Sequence, residues 1–233
     1  ARIDSSTRPD VLAISDAAAK TSVTFSEFES RVASFAQSLS DQGVKLGDRV
    51  AVLVPPSIDL IAVVYACWRV GAITVIADRG LGIKGLGAAV RSARVQHVVG
   101  PQPAVTAARV LRWAPRSQKI SMASLSAGRT ISSLAQITVL APTADDLAAV
   151  LFTSGATGPA KGVRYTHRQL GAQRDALQKT YEITPDDRFV AAFAPFALFG
   201  PALGITTGLA DMDVTSPGTL TAEALNQACQ LID

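Results

Sequence analysis

Between Leu151 and Val163 the chain reads LFTSGATGPAKGV, a run that places three glycines, two threonines, one serine and one lysine between hydrophobic flanks. Gly155 and Gly158 carry no side chain, so the backbone there can turn tightly and bring its N–H groups up to a guest. The hydroxyls of Thr153, Ser154 and Thr157 add donors and Lys161 adds a mobile ammonium, a combination suited to the oxygens of a phosphate chain. Hydrogen bonds to such charged groups contribute roughly 1.5–3 kcal/mol each. A Walker-type phosphate loop needs a glycine before the lysine, a Ser or Thr after it and a helix opening there. Here those positions hold Ala160 and Gly162, and the helix signal comes later, where Thr166 and Gln169 form a capping box before HRQLGAQRDALQKTY. LAAVLF before the loop and GVRYT after it read as strands, so the expectation is a phosphate-holding hairpin.

A larger frame must hold that hairpin. TFSEFESRVASFAQSLSDQG opens on Thr24 and Glu27 in capping-box spacing, repeats Phe25, Phe28, Val32, Phe35 and Leu39 at helical intervals, and closes at Gly43. VKLGDRVAVLVPP supplies a turn, an apolar strand and a proline stop, after which Ser57 caps a helix running through Trp68. AITVIAD reads as a strand, Leu81 to Ala93 as a glycine-weakened helix and VQHVVG as another strand. Strands alternating with helices imply a layered α/β/α fold around a mostly parallel sheet. Residues 101–143, with short pieces such as ARVLRW and KISMASL among Pro, Ser and Gly, give no clear order.

The loop resembles the signature of the adenylate-forming superfamily, which contains acyl-CoA synthetases, firefly-type luciferases and peptide-synthetase adenylation domains. Eleven positions, Thr153 to Val163, lie against the usual T-S-G-S/T-T-G-x-P-K-G-V, with Ala156 where the family carries a hydroxyl and Ala160 where proline is common. The first departure weakens phosphate binding and the second does not. The stretch from Asp41 to Asp78 resembles the family's early G-V-x-x-G-D-R-V-A segment, and FAPFALFGPALG falls where acyl-CoA synthetases have P-L-F-H-x-x-G. The three matches cover about a third of the chain in the family's order.

The resemblance implies an N-terminal part of an enzyme in which a carboxylate attacks the α-phosphorus of ATP, giving an acyl adenylate and pyrophosphate, before a thiol such as CoA captures the acyl group. Thr153, Ser154, Gly155, Ala156, Thr157, Gly158 and Lys161 would then hold the nucleotide, with Lys161 the catalytic cation on the β- and γ-phosphates. Phe196, Ala197, Leu198, Phe199 and Gly200 would wall a hydrophobic, fatty acid substrate. Ala197 aligns with the family's histidine, and that departure, followed by ADMD, resembles the olefin-pathway β-lactone synthetases, in which a β-hydroxyl of the acid displaces AMP and no CoA is needed. A third reading is a catalytically degenerate nucleotide-binding scaffold, with Ala156 marking lost catalysis. The family's adenine, ribose and Mg²⁺ motifs and its C-terminal lysine would lie beyond Asp233, so the expectation is a first α/β subdomain over 1–180, the start of a second over 181–233, and little turnover by this stretch alone. His167 reads as a structural residue at the hairpin–helix junction, His97 as a satisfied core or edge residue, and the pairs Asp145–Asp146 and Asp186–Asp187 as caps or turn ends with no metal role.

Composition narrows the classes further. The chain has 233 residues, 48% hydrophobic, with a net charge of +3, enough material for a substantial core. Its basic residues read as dispersed, with no block of like charge, which excludes a nucleic-acid partner and leaves small-molecule substrates. Cys67 and Cys229 stand far apart in apolar or helical surroundings, against a disulfide framework or zinc site. The apolar run from Leu60 reads as a buried helix, a glycine stop and a strand, and the run from Phe189 to Ala210 is broken by prolines and glycines into strand, loop and helix, so neither is a membrane span. ARIDSSTRPD carries no secretory pattern, and a cytoplasmic location is expected.

Overall fold

The computed structural model describes residues 8–127, 141–153, 161–192, 194–213 and 216–233. In chain order, β1 (Leu12–Asp16) and β2 (Thr21–Thr24) lead into α1 (Phe25–Asp41), followed by β3 (Arg49–Val52), α2 (Ile58–Arg69) and β4 (Ile73–Ala77). Next come α3 (Gly82–Ser92), β5 (His97–Gly100), α4 (Gln102–Val110), β6 (Gln118–Ser121) and α5 (Met122–Ser126). The remainder is β7 (Leu147–Thr153), β8 (Lys161–Thr166), α6 (His167–Thr180), β9 (Arg188–Ala191), α7 (Gly200–Leu203), β10 (Thr206–Leu209) and α8 (Ala222–Gln230).

Local chemistry sets most of these boundaries. Thr24 and Glu27 exchange hydrogen bonds at the start of α1, the Thr24 N–H donating to Glu27 Oε2 at 2.8 Å and the Glu27 N–H to Thr24 Oγ1 at 3.2 Å. The helix ends where Gly43 turns to φ +85° and the Val44 N–H reaches back to the Leu39 carbonyl, a left-handed stop that suits glycine. Ser57 Oγ accepts from the Leu60 N–H at the head of α2. Gly71, at φ +74°, closes that helix with the Ala72 N–H on the Cys67 carbonyl. The first apolar run is therefore helix, glycine stop and strand, as expected. Among the described residues no helix is long and apolar enough to cross a membrane.

Two compact units emerge: Ala1–Arg31, Pro56–Ala62 and Leu170–Asp233 form one, Val32–Pro55 and Val63–Gln169 the other. The first unit draws on chain from both sides of residue 180, where the sequence placed a division, and the second lies wholly before it. In the first, a four-stranded sheet runs β2-β1-β10-β9, so a strand from near the start of the chain lies parallel to one beyond residue 200, with Ile14 opposite Thr207. The second apolar run supplies β9, a 3₁₀ turn over Ala194–Leu198, α7 and β10. Gly200 has no room for a side chain: a Cβ there would lie 1.7 Å from Thr207 Oγ1.

In the second unit six strands run β6-β5-β3-β4-β7-β8, every pair parallel except β7 with β8. The crossover through α2 moves one way along the sheet and those through α3 and α4 move the other way. Right-handed connections therefore put α3 and α4 together on one face. Ala89 and Val90 from α3, Ala93 just after it, and Val105 and Ala108 from α4 join Ala51, Val75, Val98 and Phe152 of the strands in one apolar cluster. The stretch that gave no order in sequence thus contributes α4, β6 and α5. Cys67 is fully buried, and burial pushes its thiol up to about 12, which removes it as a nucleophile at neutral pH.

Candidate functional site

β7 and β8 pair antiparallel, with Phe152 opposite Gly162 and Thr153 opposite Lys161, so the glycine-rich loop does join strand to strand. Ser154, Gly155, Ala156, Thr157 and Gly158 lie outside the described residues, as does Ala160. What the structure describes is the frame on which they hang. β7 also pairs parallel with β4, Ala77 opposite Phe152, so Thr153 and Lys161 stand at the carboxyl end of the parallel strands, the edge where α/β sheets bind ligands. Lys161 is exposed there. Gly162 is fixed by its neighbour, since a Cβ would lie 2.8 Å from Phe152 Cζ and 2.9 Å from Val150 Cγ1. That close approach gives the residue after Lys161 a reason to be glycine, where a Walker-type loop has a hydroxyl.

The other end of the hairpin is anchored. The Thr166 N–H donates to Gln169 Oε1 at 2.9 Å and the Gln169 N–H to Thr166 Oγ1 at 3.2 Å, the expected capping box of α6. The register slips between Leu147 and Ala149, and the Ala148 carbonyl accepts instead from Trp68 Nε1 at 2.9 Å and Thr74 Oγ1 at 3.1 Å. A carbonyl turned out of the ladder by a bulge is thereby satisfied from α2 and β4. Nothing local in the sequence announced Trp68 or Thr74 in that role, because both act across more than 70 residues.

His167, expected at the junction, sits edge-on to Trp68 with ring centroids 6.4 Å apart. Its backbone N–H donates to the Asp146 carbonyl, its Nε2 is buried without a partner, and burial lowers its pKa. The ring packs as a wedge at the junction, where burial disfavours its charged form. Asp145 meets Arg168 through two bonds of 2.7 and 3.0 Å, which hold its carboxyl below the ordinary range. Asp146 accepts from the Thr143 N–H at 2.7 Å and Oγ1 at 2.9 Å, and its pKa is lowered by those bonds. Asp187 repeats the motif on Thr184, at 2.6 and 3.0 Å. Asp146 and Asp187 thus end turns, whereas Asp145 is paired with Arg168. His97 is only half satisfied: Nε2 lies 3.1 Å from Asp48 Oδ2, while Nδ1 is buried without a partner.

The residues expected to wall an acyl chain belong to the other unit. Phe196 is 45% exposed and Ala197 only 1%, Leu198 and Phe199 are half-buried and Gly200 is buried. The Phe196 and Phe199 rings stand 6.3 Å apart. The 3₁₀ turn therefore divides the segment between an outward aromatic and a packed methyl.

Comparison with known proteins agrees with this frame. The family model for AMP-binding enzyme matches residues 2–210. The chain is 34% identical over 239 residues to an olefin beta-lactone synthetase of Xanthomonas campestris pv. campestris, a match covering 95% of this chain and 43% of that protein. It therefore spans less than half the length of that curated relative. Among solved structures it resembles the inhibitor-bound N-terminal domain of FACL13 from Mycobacterium tuberculosis, with a TM-score of 0.78, 20% identity, and 91% of this chain and 56% of that one covered. ATP-bound MatB from Rhodopseudomonas palustris matches with a TM-score of 0.75 and 22% identity, over 88% and 42% of the two chains.

Proposed function

This chain belongs to the AMP-binding enzyme family, and from that premise we propose that it is the nucleotide-gripping part of an ATP-dependent, AMP-forming enzyme that activates a hydrophobic carboxylic acid. The observation that carries the reading is the hairpin: a glycine- and hydroxyl-rich loop closed by the Thr153–Lys161 pair at the carboxyl end of parallel strands. Loop amides, the hydroxyls of Thr153, Ser154 and Thr157, and the Lys161 ammonium would clamp the β- and γ-phosphates. The acid's carboxylate oxygen attacks the α-phosphorus, the bond to the bridging oxygen breaks, and pyrophosphate leaves with its electron pair. Joining two anions is mostly a matter of neutralising charge and aligning the attacking oxygen. Mg²⁺ would accompany the nucleotide.

The second half-reaction is read from two observations. The match to an olefin beta-lactone synthetase runs along 95% of the chain, and the position where acyl-CoA synthetases carry histidine is the buried methyl of Ala197. Both favour a β-hydroxy acid whose own hydroxyl attacks the acyl carbon, expelling AMP and losing its proton to water, with transfer to CoA or another thiol as the competing outcome. The test is acid-dependent exchange of labelled pyrophosphate into ATP by the full-length protein, with fatty acids, β-hydroxy fatty acids or none. Exchange requiring an acid is expected, and none with any acid would leave the chain a nucleotide-binding scaffold. Lactone formed without CoA separates the two acceptors. Lys161→Ala should slow exchange about 10²-fold while circular dichroism stays unchanged, and an unaltered rate would remove Lys161 from the chemistry.

A further inference from the structure

Residues 79–144 contain no aspartate or glutamate and nine of the 22 lysines and arginines, so all 19 acidic residues lie elsewhere and outnumber the remaining basic ones. The net charge of +3 thus hides a strongly positive segment inside an otherwise negative chain, and it is the missing acids, not a block of bases, that reveal it. Within residues 82–121 the fold gathers this segment onto α3, β5, α4 and β6, which share one face and one edge of the six-stranded sheet. α3 packs against the turn that follows α4. The place a Cβ would take on Gly87 is bordered by Trp113 Nε1 at 2.6 Å and Arg91 Nη1 at 3.2 Å. Beside them the exposed tetrapeptide Arg109-Val110-Leu111-Arg112 finishes α4, its two aliphatic residues 72% and 46% exposed between guanidinium groups. Arg116 is exposed just beyond. Among the described residues none of these arginines lies within 4 Å of a carboxylate in an ion pair. Lys119 donates to the Ala114 carbonyl at 2.5 Å, and its pKa is lowered by burial and then by the charge of Arg109, as befits a neighbourhood without carboxylates.

We propose that the end of α3 and α4 around Arg91, Arg109 and Arg112 docks this protein onto an anionic lipid surface. Charge alone fits any polyanion. The aliphatic pair favours lipid, because Val110 and Leu111 flanked by arginines can enter the headgroup layer while the guanidinium groups hold phosphates, whereas single-stranded nucleic acid is gripped by exposed aromatic rings and the one aromatic here, Trp113, is buried. This inference stands apart from the adenylation reading, since it is tested by binding alone.

The test is flotation of the full-length protein with vesicles of phosphatidylcholine, with and without phosphatidylglycerol, over a range of salt. Binding to the anionic vesicles that weakens with salt is expected, falling about fivefold for each of Arg109 and Arg112 replaced by glutamine, and falling again in Val110→Ser/Leu111→Ser. Arg112→Gly is the variant that guards against misfolding, because Arg112 occupies left-handed backbone at φ +51°, where glycine is favoured; it should bind more weakly while its thermal midpoint holds or rises. No binding to anionic vesicles at low salt, equal binding to neutral ones, unaltered binding by the variants, or binding to duplex DNA without binding to vesicles would each overturn the proposal.

Discussion

His167 shows how one side chain ties the candidate site to the rest of its unit. The residue sits where β8 becomes α6, its ring against Trp68, and Trp68 in turn holds the Ala148 carbonyl of β7. Because burial lowers its pKa, the folded chain takes up a proton there less readily than the unfolded chain, whose histidine titrates near pH 6.5. Stability is therefore unaffected well above that pH and falls as pH drops below it, since the unfolded state gains the proton first. Asp145 and Asp146 act in a separate window. Their pKa values are lowered, so what they contribute is present above about pH 3.9 and lost beneath it. His167→Gln should flatten the fall in urea midpoint between about pH 7 and pH 5 and leave the acid limb below pH 4 in place. Equal slopes in the two proteins would mean that the His167 ring is solvated at the junction.

At the scale of elements, α6 has no fully buried residue, so its start depends on caps more than on packing. Thr166→Ala removes the Oγ1 acceptor of the Gln169 N–H and should lower stability by about 1 kcal/mol, read as a shifted urea midpoint, with pyrophosphate exchange reduced no further than the folded fraction requires. A larger loss of exchange would move Thr166 from scaffold to site. The capping boxes at Thr24 and Thr166, the glycine stops at Gly43 and Gly71 and the strands flanking the loop were all legible, because each rests on residues within four or five positions of one another. α4 and β6 were not. Pro101 and Pro103 stand at the head of α4 and look like loop punctuation, while Val105 and Ala108 are its only buried residues, too few to mark a period. Around the candidate site, the strand-to-strand frame of the loop and the capping box that follows it were legible. The partners of Ala148 and the Phe152 ring that excludes a Cβ at Gly162 were not, because strand pairing over long separations decides them. The dispersed look of the basic residues also misled: helix ends collect arginines that sequence spacing keeps apart.

The whole molecule departs most from a left-to-right reading in the sheet β2-β1-β10-β9. Ile14 pairs with Thr207, 193 residues away, and Thr206 Oγ1 donates to the Leu12 carbonyl at 2.6 Å. Closing so long a loop costs only slightly more than closing a short one, but it makes this sheet depend on chain beyond residue 180. A fragment of residues 1–180 keeps β1 and β2 and loses β9 and β10, leaving a two-stranded ribbon, which is marginal in water. The six-stranded sheet keeps every strand in that fragment. Hydrogen exchange on the fragment and on the full-length protein should therefore agree over residues 97–100 and 147–153, while residues 12–16 and 21–24 exchange far faster in the fragment. Equal protection of β1 and β2 in both would show that the first strands take their stability from elsewhere, and the division at residue 180 would then stand as a folding boundary.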